Sequence, residues 1–118
     1  MSDANRWLGK YGEDRACEYL VGQGYQILER NWRCTEGELD IIGTQASTLV
    51  FVEVKTRTSL ALGSPLEAVT KHKLAKIRRL AASWCSQRKV PNSQVRFDAI
   101  AVLVQRGRVS IEHRTQVI

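Results

Sequence analysis

Two carboxylates and an ammonium are set out in this chain as D-x₁₂-E-x-K: Asp40, Glu53 and Lys55. Side chains alternate across a strand. Glu38 and Asp40 therefore share one face of the run Glu38-Leu39-Asp40-Ile41-Ile42-Gly43, and Phe51, Glu53, Lys55 and Arg57 share one face of the run that starts at Leu49. Val50, Val52 and Val54 take the opposite face and read as core. If the two runs are hairpin neighbours, Asp40 and Glu53 converge beside Lys55. Two like charges held together are unfavourable unless a cation neutralises them, and hard oxygen ligands with several retained waters are what Mg²⁺ prefers. Mn²⁺ accepts the same ligands. A metal so held would polarise a phosphodiester, while Lys55 would orient or help deprotonate a water, or stabilise charge developing on the phosphate. The chemistry indicated is phosphodiester hydrolysis.

An isolated E-x-K is as readily a solvated strand face, and two further features weigh against that reading. Glu13 lies on the apolar stripe of a helical pattern, in line with Ala16, Cys17 and Leu20, where a carboxylate is costly without a partner. Lys73 lies on the apolar side of a second helical pattern, in line with Ile77, Leu80 and Trp84, where it either reaches the site or snorkels from the core edge. Asp98, in Arg96-Phe97-Asp98, reads as half of a structural ion pair with Lys55 or an arginine. Arg57, Thr58 and Ser59 follow the E-x-K run and read equally as phosphate contacts or as an ordinary polar loop. Trp7, Trp32 and Trp84 each sit within apolar patterns and read as core rather than as base-stacking residues.

The elements that must position these groups follow from periodicity. Asp3 to Gly22 reads as an amphipathic helix stopped by Gly22 and Gly24, and Tyr25 to Arg33 as a first strand followed by a turn at Cys34 to Gly37. The two runs that carry the chemistry form a hairpin across the polar loop Thr44 to Thr48. After the breaker Gly63-Ser64-Pro65, a second helix runs from about Leu66 or Thr70 to Ser86, with Leu74, Ile77, Ala81 and Trp84 as its apolar stripe. Pro91-Asn92 ends the connection, and strands Val95 to Val104 and Val109 to His113 flank a turn at Gln105-Arg106-Gly107. The order helix, three strands, helix, two strands predicts an α/β domain with a mixed central sheet of about five strands and helices on both faces.

The 118 residues suit one domain, 1–118, able to bury its own core. Apolar residues at 43% and charged residues at 25% are ordinary for a globular chain, and no segment is apolar enough to span a membrane. Met1 to Arg6 lacks the pattern of a secretory signal, which makes the cytoplasm the expected location. Cys17, Cys34 and Cys85, with His72 and His113, support neither a disulfide framework nor a zinc site, and Cys17 and Cys85 read as buried thiols. The net charge of +6 points to a polyanionic partner.

Taken in order, Gly12-Glu13, Gly37-Glu38-Leu39-Asp40-Ile41-Ile42, Phe51-Val52-Glu53-Val54-Lys55-Thr56-Arg57, Glu67-Ala68-Val69 with Lys71 and Lys73, and Arg96-Phe97-Asp98 resemble the YraN family of small bacterial proteins. The resemblance spans nearly the whole chain. It implies a three-layer restriction-endonuclease-like fold similar to that of archaeal Holliday junction resolvases. It also implies a Mg²⁺- or Mn²⁺-dependent endonuclease acting on nucleic acid, chiefly DNA, with branched DNA a candidate substrate. Glu13, Asp40, Glu53 and Lys55 then correspond to the catalytic set, with Asp40, Glu53 and Glu13 as metal ligands. Arg57, Lys71, Lys73 and Lys76 are the expected nucleic-acid contacts, and a homodimer is expected because resolvase relatives cut two strands. The alternative is an inert nucleic-acid-binding or partner-recruiting module on the same fold, using the basic helix from Lys71 to Arg79.

Overall fold

The computed structural model describes residues 3–61, 63, 65–90 and 94–118. Helix α1 (Asp3–Gly22) turns its Glu13, Ala16, Cys17 and Leu20 row inward. It ends where Gly24, at φ 92°, lets the chain reverse so that the Tyr25 N–H reaches the Leu20 carbonyl at 2.9 Å. Strands β1 (Gln26–Cys34), β2 (Gly37–Gln45) and β3 (Thr48–Arg57) follow as a meander. A 3₁₀ turn (Pro65–Ala68) and helix α2 (Lys71–Arg88) cross over to β4 (Val95–Gln105), and β5 (Arg108–Arg114) closes the sheet as a hairpin partner. The sheet order is β1-β2-β3-β4-β5, and among the described residues only β3 and β4 run parallel, joined through the helical crossover that such a pairing requires.

The alternation predicted for β3 divides the core into two. Val50 and Val52 join Ala16, Leu20, Tyr25, Ile41, Ile100 and Val102 under α1. Phe51 joins Trp32, Leu39, Ile42, Ile77, Leu80 and Trp84 under α2, its ring edge-on to Trp84 at 5.8 Å and stacked on Phe97 at 5.6 Å. The result is the expected α/β arrangement, helix on sheet on helix. Helix α2 begins on Thr70, whose side chain accepts the Lys73 N–H, and ends with Lys89 in the left-handed region. Close approach of α1 to β3 depends on Gly12: a Cβ there would lie 1.9 Å from Thr56 Oγ1.

Several expectations shift. The loop between β2 and β3 shrinks to Ala46-Ser47, because both strands extend to pair Gln45 with Thr48. Helix α2 continues to Arg88, past Ser86. Trp32 and Trp84 are core, but Trp7 is 63% exposed. Trp7, Tyr11 and Arg15 form an i, i+4, i+8 row on the outer side of α1, where Trp7 stacks on Tyr11 at 5.2 Å and Arg15 lies over the Tyr11 ring. Ser64 and Pro91-Asn92, read as breakers, lie outside the described residues.

Asp98 is the most buried charged side chain described, at 1% exposure. Arg96 grips it through Nε and Nη2 (2.8 and 2.9 Å), His113 Nε2 lies 2.8 Å away, and the Gln116 N–H donates at 3.1 Å. Burial raises its pKa, but the bonds from His113, Arg96 and Gln116 outweigh burial and hold the carboxyl at about 2. The arginine partner foreseen for Asp98 is thus Arg96, and Lys55 is engaged elsewhere.

Candidate functional site

The site is built where the regular sheet fails. The β2–β3 ladder runs from Gln45–Thr48 to Ile41–Val52, and beyond it the Asp40 carboxylate accepts the Val54 N–H at 2.8 Å. On the other flank Asn31 of β1, between the pairs Arg30–Ile41 and Trp32–Leu39, adopts φ 54°. Strict alternation would put Leu39 with Ile41 on the α1 side, yet Leu39 packs with Ile42 on the α2 side. Asp40 stands at this slip, its carboxylate turned toward the edge of β3 rather than out of one sheet face. From there it meets charges on both sides of the sheet.

Glu53 stands close enough to Asp40 for its charge to act on that carboxyl, and Lys55 Nζ lies 3.5 Å from Glu53 Oε1. Burial, then the charge of Glu53, pushes the Asp40 carboxyl up to about 8, against the opposing bond from Val54. Glu13 approaches from α1. Burial raises its carboxyl too, opposed by its bond from Arg30, with the charge of Asp40 adding to the rise. Arg30 Nε (3.1 Å) and Asn31 Nδ2 (2.9 Å) both donate to Glu13 Oε1. The carboxylate costly on an apolar stripe has therefore found its partners. Among the described residues no group of three His, Cys, Asp or Glu side chains is arranged to hold a metal ion.

These residues open on a cleft of about 1190 Å³ between the start of α1 and the ends of β1, β2 and β3. Glu13, Asp40 and Lys55 line it; Glu53 does not, and is reached through its contacts with Asp40 and Lys55. Arg6, Lys10, Arg30, Arg33 and Arg57 line it as well, so basic groups outnumber Glu13, Glu38 and Asp40. Several are already balanced: Arg33 pairs with Glu38 at 2.9 Å and Lys10 with Asp14 at 3.3 Å. Arg57 donates to the Thr56 carbonyl at 3.1 Å.

The structure thus brings together Glu13, Asp40, Glu53, Lys55 and Arg57. It does not bring Lys71, Lys73 or Lys76, which are exposed on α2 and absent from the cleft lining. Lys73 falls in the first turn of α2, before the helix reaches the sheet at Ile77, and Lys76 lies over Gly37 at the β1–β2 turn. The cleft residues that pattern reading missed, Arg6, Lys10, Arg30 and Arg33, carried no signal of their own. Each sits at an ordinary polar position, and only the packing of α1 across β1 assembles them.

Residues 12–102 match the family described as uncharacterised protein family UPF0102. Similar proteins include a UPF0102 protein of Beutenbergia cavernae, 51% identical over 90% of this chain and 91% of its own length. Another, from Clavibacter michiganensis, is 50% identical over 85% of each chain. A third, from Frankia casuarinae, is 50% identical over 90% of this chain and 91% of its own. The chain therefore belongs to the UPF0102 family, to which its motifs had pointed as the YraN proteins.

Proposed function

We propose that this protein is a divalent-metal-dependent nuclease, with nucleic acid, foremost DNA, in the basic cleft and Asp40 and Glu53 as the acidic pair at its centre. The observation that carries the reading is that pair. Two carboxyls stand side by side at a break in the sheet, and burial, then the charge of Glu53, raises the Asp40 carboxyl to about 8. The donor set suits Mg²⁺ or Mn²⁺, which use one or two carboxylates and leave the other positions to water and phosphate oxygens. Asp40 and Glu53 would hold such an ion, and Glu13, whose bonds from Arg30 and Asn31 both fall on Oε1, would offer its other oxygen. When bound, the ion polarises the phosphodiester and offsets charge developing on it. Lys55, poised beside Glu53 on the cleft wall, holds the attacking water or the phosphoryl oxygens, and Arg57 fixes the backbone phosphates. Lys71, Lys73 and Lys76 offer a separate basic face for more distant contacts. A second copy of the chain would supply the second cut that a branched substrate needs.

The test is cleavage of labelled duplex, single-stranded, flap and four-way-junction DNA, with matched RNA, in Mg²⁺ or Mn²⁺. Asp40→Ala is expected to abolish cutting while retaining binding, and Lys55→Ala to slow it by roughly 100-fold. One observation favours a second reading, an inert nucleic-acid-binding module: Glu13 Oε1 is taken by Arg30 and Asn31, and among the described residues no group of three His, Cys, Asp or Glu side chains is arranged to hold a metal ion. On that reading all three proteins bind and none cuts with either metal.

A further inference from the structure

A second concavity of about 940 Å³ adjoins the cleft. It is lined by Thr58, Val104, Gln105, Arg106, Arg108 and Ser110, and Thr58 lines the cleft too. Because β3 and β4 run parallel, with Arg57 opposite Leu103, the end of β3 and the β4–β5 turn lie at the same end of the sheet. The polar lining of this groove consists of guanidinium, hydroxyl and amide groups and includes no carboxylate, whereas the cleft contains three. Among the described residues neither Arg106 nor Arg108 pairs with an acid. Arg106 also occupies the first position of the two-residue turn at φ 47°, a conformation that favours asparagine or glycine, so a guanidinium stands at the tip where turn chemistry would choose otherwise.

We infer that the β4–β5 hairpin is a second phosphate-binding surface, continuous with the cleft through Thr58, which holds the nucleic-acid backbone flanking the phosphate in the cleft. The inference rests on the nuclease reading for its partner. An acid-free lining suits backbone phosphates, which carry no sequence information, so the groove sets register and affinity rather than base preference. The acidic cleft holds one phosphate for chemistry, and the arginine groove anchors its neighbours.

The experiment is fluorescence anisotropy of a labelled duplex without divalent metal, across a series of salt concentrations. It compares the native chain, the double variant Arg106→Asn with Arg108→Gln, and a charge-matched control, Lys89→Asn with Arg114→Gln, at exposed positions that line neither cavity. Asparagine suits the left-handed turn, so the hairpin variant should melt no lower than the native chain. Its slope of log affinity against log salt should become shallower by about 0.9 for each arginine removed, while the control keeps the native slope. In the cleavage assay its KM should rise with kcat unchanged. Equal slopes for all three proteins, or equal losses in both variants, would overturn the groove. Native binding with Asp40-dependent cutting and an indifferent hairpin would remove the groove alone. A native chain that binds no nucleic acid removes both readings.

Discussion

At the scale of single residues, Asp40 and Asp98 are opposite answers to burial. Asp98 gained donors and is held ionised at about 2; Asp40 gained another acid and is held protonated to about 8. The signs follow. Between roughly pH 4 and 8 the folded chain binds the Asp40 proton more tightly than the unfolded chain does, so this site makes the fold less stable as pH rises through that window. Asp40→Asn keeps an oxygen for the Val54 N–H and removes the charge. In chelator-treated buffer at pH 8 it should be more stable than the native chain by roughly 2 kcal/mol, the gain vanishing near pH 4, as read from urea unfolding. If the site takes a metal, apparent Mg²⁺ affinity should climb with pH toward 8, because the ion must displace that proton; titration calorimetry at several pH values would show it. Asp98 runs the other way, its contribution present above about pH 4 and lost as pH falls toward 2. Asp98→Asn strands Arg96 and should cost about 3 kcal/mol at neutral pH. Cleavage per folded molecule should stay unchanged, because Asp98 lies outside the cleft.

At the scale of elements, the junction of α1 with β3 decides where Glu13 stands. Gly12→Ala should improve the isolated helix, yet its Cβ meets the stiff, branched Thr56 side chain and forces α1 away from the sheet. The expected net loss is about 1 to 3 kcal/mol, with partial recovery in the double variant Gly12→Ala with Thr56→Ser, measured as a double-mutant cycle. This contact also marks how far the sequence could be read. Element types, the hairpin that pairs β2 with β3, and the meeting of Asp40 with Glu53 were legible because they depend on periods of 2.0 and 3.6 and on one short turn. The slip at Asn31 and Asp40 was not, since a positive φ at an asparagine leaves no trace in a hydrophobic pattern. Trp7 misled for a related reason: helical spacing alone does not say which row of α1 faces the sheet, and the row with Ala16 and Leu20 won. Arg30 is likewise a plain strand arginine until α1 is laid across it.

At the scale of the molecule, both cavities gather at the carboxyl end of the one parallel strand pair, the place where α/β sheets commonly bind ligands. No helix among the described residues is long and apolar enough to cross a membrane. The two largest buried clusters lie between the sheet and its two helices. That parallel pair also sets the order of assembly. The β2–β3 hairpin closes a short loop, but β3 meets β4 only after the whole helical crossover has been drawn back across the sheet, a slower and entropically costlier event. Core truncations on the two sides of this pair, Val52→Ala and Ile100→Val, should therefore slow refolding, whereas His113→Ala on β5 should chiefly hasten unfolding, each read from a chevron plot. On that order Asp40 and Glu53 would come together in the early hairpin, and until β4 arrived their mutual repulsion would be exposed to water, where dissolved cations can relieve it.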